Sequence, residues 1–161
     1  MNILYRYITK SLHWVKFPGH SAEWCSWCVA DILRRLGLSI YPVNWKDTPP
    51  IAHAYDAVFD VSGLLDLTPA FGPDTIKILH LTGSDNVSRN QAEAERVAQV
   101  NARRGCALKQ QRVLPDPEGT YKSIEMADFV IMNGNQETLN TYPEKYHDKI
   151  RLIDTVATVV D

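Results

Sequence analysis

The last third of the chain contains the sequence ADFVIMNGNQET at residues 127–138, followed by KIRLI at residues 149–153. The first stretch is an apolar strand that breaks at Asn133-Gly134 and continues into a short polar helix, and the second is another strand. Strand, helix and strand in this order are typical of an open parallel sheet, which binds ligands at the carboxyl ends of its strands. Because Asp161 follows soon after the last strand, we expect a further segment normally to follow.

The rest of the chain continues the same alternation of apolar strands and amphipathic helices. The predicted strands are 2–9, 38–43, 54–61 and 76–81, and the predicted helices are 21–36 and 88–104. Gly37 and Gly105 are placed to end the two helices in the left-handed conformation. The pattern predicts one α/β domain over residues 1–161, with a Rossmann-like open, mainly parallel sheet and helices on both faces.

Periodicity also predicts how the two helices pack. The apolar residues that recur at helical spacing in the first helix are Cys25, Val29, Ile32 and Leu36. We expect them to face the core. In the second helix Ser88 and Gln91 fit a capping box, and the apolar face is narrow. This pattern predicts a surface helix lying on the sheet, and residues 123–127 are expected to form one helical turn.

Composition and charge exclude several classes of protein. The 45% hydrophobic and 22% charged content is that of a globular protein. A formal net charge of −2 predicts no general attraction to nucleic acid or to anionic membranes. The sequence has no apolar run of transmembrane length and no recognisable signal peptide, so we expect a cytoplasmic protein. Three cysteines, an odd number, do not indicate a disulfide framework.

Cys25 and Cys28 belong to the motif Trp24-Cys25-Ser26-Trp27-Cys28, which matches the redox signature of thioredoxin-like proteins. In those proteins a helix N-terminus lowers the pKa of the first thiol and makes it a nucleophile. Here the motif does not directly follow a strand, and Cys25 falls on the predicted apolar stripe. Two interpretations therefore stand, a redox or metal site and a pair of buried helix cysteines.

Two loops are candidate ligand sites on the basis of their residue types. Gly19 and His20 join the first strand to the first helix, where a glycine lets a ligand approach the backbone and a helix N-terminus favours an anion. The loop lacks the G-x-G-x-x-G dinucleotide fingerprint. Asn133, Asn135 and Glu137 follow a later strand, where amides and a carboxylate suit a polyol, although Asn-Gly is also a common turn.

His80 lies near the end of the strand 76–81 and precedes the loop residues Thr82, Gly83, Ser84 and Asp85. A histidine there can act as a general base, and the loop residues can bind sugar hydroxyl groups. The alternative is a histidine satisfied by the backbone, with Ser84 or Asp85 acting only as the cap of the next helix. These residues are the principal candidates for the active site.

The order of these elements resembles the N-terminal, acceptor-side domain of GT-B-fold glycosyltransferases of the family 4 type. The segments that carry the resemblance are Pro18-Gly19, Leu33–Gly37, Tyr55–Phe59, Ile78–His80, Ala127–Ile131 and Lys149–Asp154. The resemblance covers nearly the whole chain in element order and is most specific in the last third. Two features depart from the family pattern. The turn 133–135 replaces the serine that opens a helix, and 154–157 replaces a Pro-Asn-Gly sequence.

The resemblance implies roles for particular residues. His80 matches a histidine that faces the interdomain cleft and helps to position the acceptor or the transferred sugar. Gly19 matches a glycine that lies close to the phosphates or the sugar of the donor. It implies a nucleotide sugar as co-substrate, with no tightly bound cofactor and no metal. It also implies two partners, a carbohydrate or glycolipid acceptor and a C-terminal GT-B domain that this sequence lacks.

Two other functions remain open on the sequence. The first is a Rossmann-like module that binds a carbohydrate or a nucleotide without catalysis. The second is a thioredoxin-like oxidoreductase that uses Cys25 and Cys28. An exposed final strand also favours self-association, because an open sheet edge recruits partners, so a homo-oligomer is possible.

Overall fold

The computed structural model describes residues 1–9, 12, 21–47, 55–61, 63–115 and 117–153. The strands and α-helices are β1 (Asn2–Tyr7), α1 (Ser21–Arg35), β2 (Ser39–Asn44), β3 (Tyr55–Asp60), β4 (Phe71–Leu81), α2 (Asn86–Arg104), α3 (Glu118–Met126), β5 (Phe129–Asn133), α4 (Gln136–Leu139) and β6 (Ile150–Ile153). Two 3-10 helices span Leu65–Ala70 and Glu144–Lys149. The predicted α/β class is confirmed.

The six strands of the described chain form one sheet in the order β2-β1-β3-β4-β5-β6. All five strand pairs are parallel, so every strand ends at the same edge, which we call the carboxyl edge. The chain turns from β1 to β2 on one side and then crosses to β3 on the other. The order therefore reverses between β1 and β3, and such a reversal opens a crevice at the carboxyl edge of doubly wound sheets.

The sheet buries both of its faces near the centre, as the predicted Rossmann-like arrangement requires. Leu4, Val58, Leu79 and Val130 face the side covered by α3, α4 and the 3-10 helices. Because side chains alternate along a strand, the neighbouring residues face α1 on the opposite side. The main contributors to that second core are Ile3, Tyr5, Tyr7, Ala57 and Phe59.

Helix α1 packs on the sheet through part of the predicted stripe, because Cys25 is buried and Val29 packs against the core. The predicted stripe is wrong at Ile32 and Leu36, which are 56% and 68% exposed. Ser26 and Ala30 are fully buried instead, because small side chains let the helix approach the sheet closely. The Tyr5 hydroxyl donates to the Ser26 carbonyl at 2.7 Å, which fixes the helix in this rotation. Gly37 has φ +75°, so the predicted left-handed end is confirmed.

Helix α2 begins two residues before the predicted start and buries none of its side chains. Asp85 caps it by accepting from the Val87 backbone N–H at 2.9 Å, so the Ser88 capping box is wrong. Because none of its side chains is buried, α2 is a surface helix, as predicted. The segment 106–114 runs back along it and bonds to Asn90 and Asn101 through their side-chain amides.

Helix α3 covers nine residues, whereas the sequence predicted only one turn beginning at Ser123. Ile124 is fully buried and anchors the helix in the core. The Ser123 hydroxyl donates to the Gly119 carbonyl at 2.8 Å and accepts from the Leu64 N–H at 2.9 Å. The second bond ties α3 to the loop that follows β3, which is a contact between distant parts of the sequence.

A buried ion pair joins β1 to β3 at the carboxyl edge. Arg6 Nε donates to Asp60 Oδ1 at 2.6 Å, and Arg6 Nη2 donates to Asp60 Oδ2 at 3.0 Å. The same guanidinium donates to Gly63 O at 2.6 Å and to both carboxylate oxygens of Asp66. Asp60 Oδ2 also accepts from the Gly63 N–H at 2.6 Å, so the pair shapes the loop after β3.

Part of the α1 side of the sheet carries exposed apolar residues. Ile76 on β4 and Ile153 on β6 are each 37% exposed, and Phe129 on β5 is 60% exposed. In this region α1 leaves the outer strands uncovered. Across the described residues, we find no helix that is long and apolar enough to cross a membrane.

Candidate functional site at the carboxyl edge

His80, the predicted catalytic residue, is completely buried near the end of β4. Its ring lies 5.6 Å from the ring of Tyr7 and 5.8 Å from that of Phe59, measured between centroids. Its Nε2 is 3.1 Å from Asn133 Oδ1 at the end of β5. The parallel register brings these two strand ends together, so two of the predicted site residues are in contact.

Asn133 fixes the tautomer of His80. The amide Nδ2 of Asn133 donates to Cys25 Sγ at 3.7 Å, which directs the amide oxygen towards His80. Because that oxygen can only accept, His80 Nε2 carries the proton and Nδ1 bears a lone pair. Burial lowers the pKa of His80, and the smaller opposing effect of the Asn133 bond does not offset it. His80 is therefore neutral near pH 7.

Two buried polar atoms near His80 have no hydrogen-bond partner among the described residues. They are His80 Nδ1 and the hydroxyl of Tyr7. Burial raises the pKa of Tyr7, so this hydroxyl keeps its proton and is a donor. A buried donor and a buried acceptor in neighbouring rings have the bonding capacity that an alcohol hydroxyl or a water molecule satisfies. We call Tyr7, Cys25, His80 and Asn133 the His80 cluster.

A separate cleft of about 190 Å³ opens at the carboxyl edge on the opposite side of β4. The residues lining this carboxyl-edge cleft are Val61, Gly63, Leu79, Leu81, Thr82, Gly83, Ser84, Asn86, Arg89, Pro115, Thr120 and Tyr142. Three of the predicted loop residues, Thr82 to Ser84, are among them. His80 is not, because its side chain leaves the strand on the face opposite Leu79 and Leu81.

The remaining predicted site residues have other environments. Asp85 is buried, and its carboxylate accepts from Val87 N–H and from the Tyr121 hydroxyl at 3.0 Å, so it performs the capping role that the alternative interpretation gave it. Asn135 caps α4 by accepting from the Thr138 N–H at 3.0 Å. Glu137 is exposed in the first turn of α4. Gly19 and His20 lie outside the described residues.

Tyr7 and Arg89 belong to these sites but were not predicted from the sequence. Tyr7 is the last residue of β1, which lies beside the reversal of strand order. That position could have indicated a site residue. Arg89 lies one helical turn beyond the loop residues Gly83–Asp85. This spacing could have indicated that its side chain lies near the loop. Neither residue belongs to a recognisable motif.

Cys25 and Cys28 lie within α1 rather than at its first turn. Cys25 is buried and Cys28 is half-buried, and neither is in a disulfide. Burial raises the pKa of the Cys28 thiol, and Cys25 and Asp31 raise it further. A raised pKa reduces the thiolate fraction of Cys28, which is the second cysteine of the motif. No group of three or more His, Cys, Asp or Glu side chains positioned for a metal occurs in the described parts of the chain.

We expect the buried, neutral His80 to make the fold sensitive to acid. Its pKa in the folded chain lies below the ordinary value of 6.5, so the unfolded chain takes up the proton first. The contribution to stability is therefore complete above pH 6.5 and is lost as the pH falls below it. The loss approaches at most about 1.4 kcal/mol per pH unit, which corresponds to one proton.

Urea unfolding of the wild type and of His80→Gln between about pH 5 and pH 7 tests this. For each protein the free energy of unfolding is plotted against pH. The difference between the two slopes gives the contribution of His80, because glutamine does not titrate. Equal slopes, or an NMR titration of the His80 ring with a midpoint at or above the ordinary histidine value, would contradict the prediction.

Comparisons of the chain with protein-family models, with curated proteins and with solved structures returned no match.

Proposed function

We propose that this chain is the acceptor-side domain of a glycosyltransferase that transfers a hexosyl group from a nucleotide sugar. The observation that carries the proposal is the carboxyl-edge cleft, which lies beyond the ends of β3 and β4, at the edge of the sheet where parallel strands bind ligands. Its lining combines the hydroxyl groups of Thr82 and Ser84 with the amide of Asn86. These groups suit the hydroxyls of a sugar. The resemblance of the chain's element order to family 4 glycosyltransferases supports the same conclusion.

The chemistry of the lining supports binding rather than a complete reaction. None of the described residues around the cleft is Asp, Glu, His, Cys or Lys, so the cleft has no general base of its own. Inverting glycosyl transfer needs such a base, and glycosyl transfer of either stereochemistry needs positive groups that stabilise the departing diphosphate. In this proposal a second GT-B domain supplies those groups, and the nucleotide sugar is a co-substrate rather than a bound cofactor.

His80 has a separate role in the proposal. Its neutral ring has a fixed tautomer and a lone pair on the buried Nδ1, so it can accept a hydrogen bond from one hydroxyl group or water molecule at the end of β4. The Tyr7 hydroxyl supplies the complementary donor.

The proposal is tested by blocking the carboxyl-edge cleft without straining the fold. A Cβ added at Gly83 would meet no atom within 4 Å, so a larger side chain can enter the cleft. We expect the chain to bind members of a printed array of neutral and acidic oligosaccharides. Gly83→Leu should weaken that binding at least about tenfold, which corresponds to about 1.4 kcal/mol.

Gly83→Ala is the matched control, because one methyl group leaves most of the cleft open, and its binding should stay close to that of the wild type. We also expect no nucleotide release when the chain alone is incubated with UDP-glucose or GDP-mannose and an oligosaccharide that it binds. No oligosaccharide binding at all, or binding unaffected by Gly83→Leu, would reject the proposal. Turnover by the isolated chain would show that no second domain is needed.

A second candidate is a carbohydrate- or nucleotide-binding module without catalysis. It is favoured by the separation of His80 from the carboxyl-edge cleft, because a ligand in the cleft does not need His80. Both candidates predict that binding survives His80→Asn. They differ when a GT-B C-terminal domain is added in trans with a nucleotide sugar, where only the glycosyltransferase domain yields a transfer product.

A further inference from the structure

The positive charge of the chain is concentrated in residues 86–115, which contain α2 and the segment that returns along it. This region has six basic residues, Arg89, Arg96, Arg103, Arg104, Lys109 and Arg112, and two acidic ones, Glu93 and Glu95. Its formal charge is therefore +4, while the whole chain carries −2, so the rest of the chain carries −6. A region of this polarity attracts anionic ligands.

Two arginines of this region meet at a second cleft of about 230 Å³. The arginine cleft, as we call it, is lined by Arg89, Asn90, Glu93, Arg112 and Leu114. Leu114 N–H donates to Asn90 Oδ1 at 2.8 Å, and Asn90 Nδ2 donates to Leu114 O at 3.0 Å. These two bonds fix the returning segment against α2, which brings Arg112 beside Arg89.

The positive charge at the arginine cleft is not neutralised by its one acidic residue. Glu93 accepts from Arg96 at 2.7 Å and 2.8 Å, which compensates its carboxylate. That contact also lowers the pKa of Glu93, so it stays ionised and paired. No salt bridge to Arg89 or Arg112 occurs among the described residues. Both guanidinium groups therefore remain available to an anion.

Arg89 lines both the arginine cleft and the carboxyl-edge cleft, so the two are adjacent. The carboxyl-edge cleft has a volume of about 190 Å³. A pocket that encloses a whole drug-sized ligand usually has a volume of about 300–1,000 Å³, so this cleft is smaller. It therefore suits one end of a longer ligand. The neighbouring groups that this ligand would reach next are the two guanidinium groups.

We propose that the acceptor carries an oxyanion, a phosphate or a carboxylate, which Arg89 and Arg112 bind while its sugar occupies the carboxyl-edge cleft. The inference rests on the proposed function, since it names the class of acceptor for the same site. Guanidinium groups bind both oxyanions through paired N–H donors in a planar fork. A neutral saccharide would offer the two arginines no charged partner.

The test uses the full chain and four probes, namely inorganic phosphate, glucose 6-phosphate, glucuronate and glucose. NMR titration follows the side-chain Nε–H signals of Arg89 and Arg112 and the backbone amides of Gly83 and Ser84. We expect the first three probes to shift the arginine signals. Glucose 6-phosphate and glucuronate should also shift the amides, and whichever of the two binds more tightly identifies the oxyanion. Glucose alone should leave the arginines unchanged.

Arg89→Gln and Arg112→Gln should each weaken binding of glucose 6-phosphate or glucuronate at least tenfold, which is the effect of losing one charge-assisted contact. Arg103→Gln is the matched control, because it removes the same charge from α2 but lines neither cleft. Equal losses in all three variants would indicate general electrostatic attraction and would overturn the proposal. Arginine signals that do not respond to inorganic phosphate would also overturn it.

The test separates failure of this inference from failure of the proposed function. If glucose and glucose 6-phosphate shift Gly83 and Ser84 equally and the arginine variants bind both normally, the cleft binds saccharides and only the oxyanion is rejected. If no saccharide shifts those amides but phosphate binds at the arginines, the anion site stands and the glycosyltransferase assignment fails.

Discussion

Replacing Arg6 by methionine is expected to lower the free energy of unfolding by about 3–5 kcal/mol, because it leaves a buried carboxylate without its partner. Arg6 is 2% exposed and Asp60 is fully buried. Burial alone would lower the pKa of Arg6. Its bonds to Asp60 and Asp66 raise the pKa by more than burial lowers it, so the guanidinium stays charged. Methionine fills a similar volume without providing any donor.

The loss is large for a domain of this size. Natural domains are stable by about 5–15 kcal/mol, so the variant would lose a substantial part of its total stability. The Gly63 carbonyl would also lose its donor, and the loop after β3 would lose its shape. Urea unfolding followed by circular dichroism measures the change, and it also shows whether the variant remains folded.

Asp66→Asn is the matched control for the Arg6 variant. Asp66 bonds to the same guanidinium, but its side chain is 68% exposed, so water compensates for the lost charge. We expect a change of no more than about 1 kcal/mol, the usual value for an exposed pair. Similar losses in Arg6→Met and Asp66→Asn would show that burial of the pair is not what makes it important.

The strands were largely predictable from the sequence, but the rotation of α1 was not. A parallel sheet needs continuous apolar strands and short breaks, and residues 55–61 and 127–133 display both. In α1, by contrast, apolar spacing favours the face of Ile32, whereas the sheet packs against Ser26 and Ala30. The deciding factors are small side-chain volume and the bond from Tyr5 to Ser26, and hydrophobic periodicity records neither.

The candidate site was predictable in part, because the parallel sheet itself was predictable. Parallel strands share one carboxyl edge, so the proximity of His80 and Asn133 followed from the fold. Strand alternation also explains why His80 and the carboxyl-edge cleft lie on opposite faces. The contributions of Cys25, Tyr7 and Arg89 depend on distances between elements far apart in the sequence. Those distances are set by packing rather than by any local pattern.

Gly134 connects the fold to the His80 cluster, and replacing it by alanine is expected to lower the free energy of unfolding by about 2–5 kcal/mol. Its φ is +151°, a conformation that side-chain-bearing residues rarely adopt. A Cβ there would also lie 2.7 Å from both Cβ and Oγ1 of Thr138, closer than packed atoms approach. Both effects force the turn between β5 and α4 to move.

Because Gly134 directly follows Asn133, that movement should also withdraw the Asn133 amide from His80. We therefore expect two readouts to change together in Gly134→Ala, the urea midpoint and the NMR signal of the His80 Nε2–H. Gly37→Ala is the matched control, since Gly37 has φ +75° but an added Cβ would meet no atom within 4 Å. It should cost only about 1–2 kcal/mol of backbone strain and leave the His80 signal unchanged. A Gly134 variant that loses stability but keeps the His80 signal would show that the turn does not position Asn133.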